Sequence, residues 1–245
     1  TILVNPLMSC TARLPVYALF TAAFFAAHQG TVTFSLYLLG IVLAVAMAKL
    51  FRATIFRGQS EPFVMELPPY RWPTAKGTFI HMWERGSLFL RKAGTVILVG
   101  SVIIWVLSYF PTGAGYGSAA SLAGRIGRVF EPLVKPLGFD WRAAVALIFG
   151  FVAKEIVVST YGALLGVGES KAATSAKLHR IFTPLTAYGF MAFTLLYTPC
   201  LATVAVIRRE TGSWKWAAFA VGYSLALAWL VAFAIYRIGL LFGGG

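Results

Sequence analysis

The sequence predicts an all-α fold: a polytopic transmembrane helical bundle of about six spans, with Pro-broken helices and an interfacial amphipathic helix. Three observations predict it. Of the 245 residues, 59% are hydrophobic and only 12% charged, about half the roughly 25% charged share of a soluble domain, and mean hydropathy is +0.78. Charge-free runs cover residues 29–48, 93–124, 181–207 and 216–236, each able to supply the ~20 residues that cross a ~30 Å hydrocarbon layer. None of these runs alternates with period two, which argues against a transmembrane barrel. Too little polar surface remains to cover a water-facing globule, so an ordinary cytosolic enzyme is excluded.

Taken in order, residues 1–27 are apolar apart from Arg13. The first span reads as 11–27 and the second as 31–48. His28, Gln29 and Gly30 leave room only for a tight turn, so these two helices are antiparallel. Residues 49–73 are polar, and Pro62, Pro68, Pro69 and Pro73 block regular helix there. Residues 76–92 then read as an amphipathic helix. Phe79, Met82, Trp83, Gly86, Phe89 and Leu90 share one stripe, with Lys76, His81, Glu84 and Arg85 off it. Trp at the apolar edge with basic flanks suits a helix lying in the membrane interface; a loop helix packed on the bundle is the alternative. A third span covers 94–110, followed by a Gly-rich segment at 111–117 and a short helical piece around 118–130. The fourth span is 143–165, its run interrupted only by Lys154 and Glu155. The fifth is 185–207 and the sixth 216–236. No linker or shift of composition divides the chain, so residues 1–245 form a single transmembrane domain.

The formal charge of +13 raises a nucleic-acid reading, which membrane topology displaces. Basic residues of membrane proteins gather in cytoplasmic loops beside acidic headgroups. Eight of the 21 Lys and Arg lie between Lys49 and Lys92, directly after the second span. The expected partner is the lipid bilayer, and no nucleic acid. Counting six spans from a cytoplasmic 49–92 loop places Arg208, Arg209 and Lys215 outside, against the charge rule. Either one segment is re-entrant or the rule fails here. Cys10 and Cys200 are the two cysteines; their spacing excludes a disulfide scaffold or a zinc finger. The chain opens on Thr with no basic n-region, so it is expected to be a piece of something longer.

Three constellations are expensive in lipid. The first is Asn5-Pro6-Leu7-Met8-Ser9-Cys10-Thr11-Ala12-Arg13-Leu14-Pro15. Pro6 and Pro15 each remove a helical hydrogen bond, freeing the carbonyls of Ile2 and Thr11. Pro6 and Cys10 are four apart, so the freed backbone and the thiol are expected on one helix side. Broken helix at membrane depth lines a cavity or is buried in protein; a helix start with Arg13 snorkelling to headgroups is the plainer reading. The second is Tyr197-Thr198-Pro199-Cys200, where Pro199 frees the carbonyl of Leu195 one turn before a thiol. A lone intramembrane Cys is ordinarily a small hydrophobe, yet both cysteines sit beside a helix-breaking Pro. Transporters place their sites where two spans break in corresponding positions, so both thiols should face one permeation path. The third is Phe151-Val152-Ala153-Lys154-Glu155, two adjacent charges inside a span and so functional by default. On a helix these two diverge by about 100°, and Glu155 shares a face with Ser159, Gly162 and Gly166, small residues that admit a neighbouring helix. Glu155 should therefore point into the bundle, either toward a transported ion or toward a structural partner.

Together with Pro62-Phe63-Val64-Met65-Glu66-Leu67-Pro68, these segments closely resemble, in order and along essentially the whole chain, the membrane part of the bacterial ferrous iron transport protein B family. The resemblance implies a permease domain with gate-like regions at about 1–110 and 140–245. It implies a multi-pass protein of the bacterial cytoplasmic membrane that imports Fe²⁺. The site residues it points to are Cys10, Cys200 and Glu155 as metal-contacting groups, and Pro6, Pro15, Pro199 and Lys154 as gating or helix-breaking positions. Fe²⁺ accepts thiolate, carboxylate and carbonyl ligands, and a permeation site must hold its ion weakly enough to release it. The family also carries a cytoplasmic GTPase domain, but no Gly-x-x-x-x-Gly-Lys-Ser/Thr pattern occurs in these residues. GTP and Mg²⁺ would act only through that domain. The chain itself is expected to be a transporter core and not an enzyme, with no bound cofactor. Small cytoplasmic accessory proteins and a homo-oligomer are further implied partners. Alternatives are a permease for another divalent metal or a small solute, or a non-transporting membrane scaffold.

Overall fold

The computed structural model describes residues 2–55, 72–92, 95, 98–110, 118–165, 176–197 and 200–241. The Pro62–Pro68 motif, the 111–117 segment, Gly166 and Pro199 lie outside the described residues. Ten α-helices are described: α1 Leu14–Phe24, α2 Gln29–Thr54, α3 Ala75–Lys92, α4 Leu98–Tyr109, α5 Leu122–Val134, α6 Trp141–Val152, α7 Ile156–Leu165, α8 Pro184–Leu196, α9 Leu201–Thr211 and α10 Trp214–Leu241. Short 3₁₀ turns at Asn5–Leu7 and Thr11–Arg13 precede α1. Among the described residues no strand occurs.

Among the described residues, four stretches are long and apolar enough to cross a membrane: Asn5–Phe24, Gln29–Thr54, Pro184–Thr211 and Trp214–Leu241. They form two antiparallel pairs, each a broken helix followed by an unbroken one. The unbroken members, α2 and α10, are 26 and 28 residues long. Leu3 packs with Phe51, Ile207, Ala217 and Ala220 at one end of the bundle, while Phe24 meets the His179 ring at 4.4 Å at the other. The first broken helix thus runs away from the Leu3 end. The second, α8 to α9, runs toward it, since Phe182 and Phe190 lie against Phe20 and Ile207 lies beside Leu3.

The fourth predicted span, 143–165, is not a span. Helix α6 starts at Asp140, whose carboxylate accepts from the Ala143 N–H at 3.1 Å, and it ends at Val152. Ala153 is extended at φ −151° and ψ 129°, and α7 sets off at Ile156 in the reverse sense. Phe139, before α6, and Tyr161, on α7, both lie against Phe190, with ring centroids 5.6 and 5.8 Å apart. The Leu165 carbonyl accepts from Lys177 Nζ at 2.6 Å, two residues from the His179 that contacts Phe24. Helices α6 and α7 therefore enter and leave at the same end, as a re-entrant hairpin whose tip lies at mid-depth. Ala, Lys and Glu are all good helix formers, so local propensity does not dictate the turn; tertiary contacts at the tip do.

The hairpin resolves the charge conflict. With 143–165 withdrawn from the count, Arg52 on α2 and Trp216 on α10 line the same cleft, and Phe51 packs against Phe219 at 5.8 Å. Lys49, Arg52, Arg208, Arg209 and Lys215 share one end of the bundle, as the positive-inside rule requires.

Helix α3 fits the expected 76–92 element. Its apolar Phe79, Ile80, Met82, Trp83, Leu88 and Leu90 are all exposed, as are Lys76, His81, Glu84 and Arg85. The core sits in the half of the bundle away from the basic end. There Phe20, Tyr161, Phe182 and Phe190 pack with ring centroids 5.1–6.0 Å apart, which fixes α1, α7 and α8 to one another. At 150–250 Å² per aromatic side chain, this cluster anchors the elements that carry the site.

Candidate functional site at the convergence of three chain breaks

The first break lies in residues 5–13. Asn5–Leu7 makes one 3₁₀ turn, with the Leu7 and Met8 N–H groups donating to Val4 and Asn5 carbonyls at 3.0 and 3.1 Å. Met8 (ψ 139°) and Cys10 (ψ 162°) are extended. The spacing of Pro6 and Cys10 therefore does not put them on one helix side, because no helix joins them. Pro15 is not a break either. It occupies the first turn of α1, where its missing N–H costs nothing, and the Thr11 carbonyl accepts from the Leu14 N–H.

Arg13 explains how this break survives at depth. It does not snorkel. It is 2% exposed, and its guanidinium donates to the carbonyls of Met8 at 2.7 Å and Pro6 at 2.8 Å. Backbone oxygens released by the broken helix thus meet a buried cation, the condition under which irregular backbone is tolerated in a membrane. Gly40 on α2 lets this turn approach, since a Cβ there would lie 3.1 Å from the Leu7 carbonyl.

The other two breaks are joined in the same way. Helix α8 ends at Leu196, and Tyr197 (ψ 166°) and Cys200 (ψ 159°) are extended. Cys200 then leads into α9 as its N-cap residue, its carbonyl accepting from Val204 at 3.0 Å and its Sγ lying 3.3 Å from Thr203 Oγ1. From the hairpin tip, Lys154, only 3% exposed, donates to the carbonyls of Thr194 and Tyr197, both at 3.2 Å. Its ammonium also lies 4.5 Å from the Tyr197 ring centroid. A cation at a helix C-terminus is favoured by the macrodipole, and aromatic faces attract desolvated ammonium groups by up to about 2 kcal/mol. Gly150 makes the fit possible, because a Cβ there would overlap the Tyr197 hydroxyl.

The three breaks enclose a cavity of about 140 Å³. Cys10, Cys200 and Glu155 line it, together with Pro6 and Lys154. Asn5, Met8, Ala12, Arg13 and Thr203 complete its described wall. Glu155 is half-buried and points into the bundle, but from a turn and not from the helical face shared with Ser159 and Gly162 that the sequence suggested. Cys200 is half-buried and Cys10 exposed. Among the described residues no three His, Cys, Asp or Glu side chains cluster tightly enough to form a metal centre. Two thiols and one carboxylate around a small cavity can contact a passing ion without enclosing it. Sequence reading missed Asn5, Met8 and Thr203, and gave Arg13 the wrong destination. One signal was available: a lone Arg in a 27-residue apolar run, beside prolines that free carbonyls.

Comparison with known proteins gives consistent matches. Residues 90–214 match a gate-family model described as nucleoside recognition, and residues 33–85 match the ferrous iron transport protein B C terminus. The chain is 48% identical to the Fe(2+) transporter FeoB of Methanocaldococcus jannaschii, over 98% of this chain and 37% of the relative. It is 46% identical to the Fe(2+) transporter FeoB of Staphylococcus aureus strain COL, over 99% of this chain and 36% of the relative. It is 42% identical to an Fe(2+) transport protein A/Fe(2+) transporter FeoB fusion protein of Porphyromonas gingivalis, over 99% of this chain and 34% of that protein. The chain thus spans little more than a third of the length of these relatives. No solved structure matches it.

Proposed function

The chain belongs to the ferrous iron transport protein B family, and from that premise we propose that it forms the permeation core through which Fe²⁺ is imported across the bacterial cytoplasmic membrane. The observation that carries this reading is the convergence of Cys10, Cys200 and Glu155 on one cavity, from three chain breaks spread over 190 residues. Fe²⁺ is a borderline cation and accepts thiolate and carboxylate donors. A dispersed set of three contacts suits an ion that must leave again. The two antiparallel pairs of broken and unbroken helices support gate-like regions at about 1–110 and 140–245, related as an inverted repeat about a mid-depth site. In this reading Pro6 and Pro199 mark the breaks and Lys154 ties two of them together.

Control of the gate comes from outside these residues, through a GTPase domain that uses GTP and Mg²⁺. Small accessory proteins of the same system act with it, as the fused Fe(2+) transport protein A of the Porphyromonas gingivalis relative suggests. The family-model description of nucleoside recognition favours a second reading, a permease for a small organic solute. The cavity between the breaks weighs against it: about 140 Å³ falls below the ~300–1,000 Å³ of small-molecule pockets, and holds an ion with a few waters of ~30 Å³ each. The cleft beside Arg52 and Trp216, about 840 Å³, is of solute size but contains neither cysteine nor Glu155.

The test is uptake of Fe²⁺ by the full-length protein in liposomes loaded with a metal-responsive dye. Replacing Cys10 and Cys200 together by Ser should lower the initial rate by at least about tenfold, in the range expected when metal contacts are disturbed. Wild-type uptake by the double variant would refute the thiol path.

A further inference from the structure

We propose that the cleft at the basic end of the bundle is a binding site for an anionic phospholipid, with an acyl chain lying along α2 and the headgroup at Arg52. The cleft measures about 840 Å³, within the ~300–1,000 Å³ of ligand pockets. Ile41, Ala44, Val45, Ala48 and Arg52 of α2 line it, at the three-to-four-residue spacing of a single helix face. Leu3 and Val4, ahead of the first chain break, add to the apolar wall, and Trp216 of α10 lines it at the basic end.

Depth and length suit a lipid chain. Gly40, one residue before that stripe, lies against the Leu7 carbonyl in the first chain break, so the inner end of the cleft is at mid-depth. Arg52 follows Ile41 by 11 residues on the same helix, about 16 Å at 1.5 Å per residue. One leaflet of a ~30 Å hydrocarbon core is about 15 Å thick. A tail that reaches Ile41 therefore brings its headgroup level with Arg52, and it takes the apolar wall between them out of water. Asn5 and Met8 line both this cleft and the small cavity, so the tail ends against the wall of the first break.

Charge decides the class of lipid. Arg52 pairs with no acid among the described residues. Lys49, one turn earlier on α2, and Lys215, next to Trp216 in the chain, add positive charge at this end. Glu210, the acid beside Thr211 of the cleft wall, is taken by Arg209 at 3.3 Å. Basic pockets between membrane helices hold anionic lipid headgroups, and a guanidinium grips a phosphate through two parallel hydrogen bonds. The Trp216 indole suits the same level of the interface.

The experiment follows the melting temperature of full-length protein in detergent as phosphatidylglycerol or phosphatidylcholine is added. Phosphatidylglycerol should raise it saturably and phosphatidylcholine should not. Arg52→Gln should raise the half-effective phosphatidylglycerol concentration about fivefold, the effect of one basic residue on an anionic lipid. Ala48→Trp, which fills the cleft, should remove the response. Ala46→Trp, exposed on α2 but off the cleft wall, should keep it. Should Ala48→Trp not fold, Arg52→Gln carries the test. Equal responses to the two lipids, or an unchanged half-effective concentration in Arg52→Gln, would overturn the proposal. So would an equal weakening by Arg208→Gln with Arg209→Gln, which marks diffuse attraction to the surface. A response to glycerol 3-phosphate alone would mean a phosphate site without a tail, and overturns it too. No lipid response, with Ala48→Trp melting lower than wild type, would mean that another segment of the full-length protein fills the cleft, and the lipid site is then withdrawn.

Discussion

Lys154 and Tyr197, 43 residues apart in sequence, are joined twice: the ammonium donates to the Tyr197 carbonyl at 3.2 Å and lies 4.5 Å from the centroid of its ring. The hairpin tip is thereby fastened to the end of α8, three residues before Cys200. An ammonium buried this deeply is tolerable only because its donors are used, and the carbonyls of an interrupted helix are tolerable only because they receive them. Each defect satisfies the other.

Lys154→Met keeps the length and apolar stem but leaves the Thr194 and Tyr197 carbonyls without this donor. The expected cost is about 1–3 kcal/mol for each buried group left unsatisfied, read as a lower melting temperature of the protein in detergent. Lys154→Arg should recover most of it. Equal melting temperatures for wild type and Lys154→Met would mean that the two hydrogen bonds contribute nothing.

A second prediction concerns Gly150, where a Cβ would overlap the Tyr197 hydroxyl. Gly150→Ala should destabilise by about 1–3 kcal/mol, the usual penalty for overpacking. Tyr197→Phe removes the colliding oxygen, so the double variant should recover part of that loss. A double-mutant cycle in detergent measures the coupling, and strict additivity would show that the two groups do not touch.

How much of this was legible in the sequence depends on which interactions are local. Helix positions were readable because long charge-free runs carry them; α3 lies within one residue of its expected limits, while α2 and α10 run six and five residues past theirs, α2 into the polar stretch that begins at Lys49. Glu155 stood out because a charge in lipid is costly wherever it falls, and Cys10 and Cys200 because each sits near a helix-breaking Pro. The charge conflict at Arg208, Arg209 and Lys215 left a re-entrant segment open, but its location at 153–155 was not readable. Residues 143–165 have the length and composition of a span, and nothing local breaks them; the turn exists because Lys154 finds carbonyls 40 and 43 residues away. Arg13 was misread for a related reason. Its partners, Pro6 and Met8, are near in sequence, but a helical register would have pointed the guanidinium elsewhere.

The hairpin carries its own prediction about topology. With residues 143–165 re-entrant, positions 52 and 215 lie on one side of the membrane and position 28 on the other. Single cysteines placed there, in full-length protein whose Cys10 and Cys200 are replaced by Ser, should react with an impermeant maleimide accordingly. Positions 52 and 215 should be labelled in inverted vesicles and position 28 in intact cells. Labelling of 52 and 215 from opposite sides would restore the six-span count and remove the hairpin.

Glu155 is the last and most consequential case. It lines the cavity with both cysteines and lies beside Lys154, two of whose three N–H donors go to Thr194 and Tyr197. Among the described residues its carboxylate is the one acidic group on a wall that also carries Arg13 and Lys154. Neutralising it would leave the Arg13 guanidinium on the wall without this carboxylate to offset it as a dication enters. Unit charges 4 Å apart interact by about 4 kcal/mol at an effective dielectric constant of about 20, enough to suppress entry severely. Glu155→Gln keeps shape and hydrogen-bonding capacity but removes the charge. In the full-length protein it should insert and melt like wild type and lose at least about 90% of Fe²⁺ uptake, a tenfold effect that needs only about 1.4 kcal/mol. Glu155→Asp, keeping the charge on a shorter stem, should retain a measurable fraction. A variant that inserts poorly would mark Glu155 as a structural pairing residue, and one that transports at the wild-type rate would show that its charge has no part in permeation.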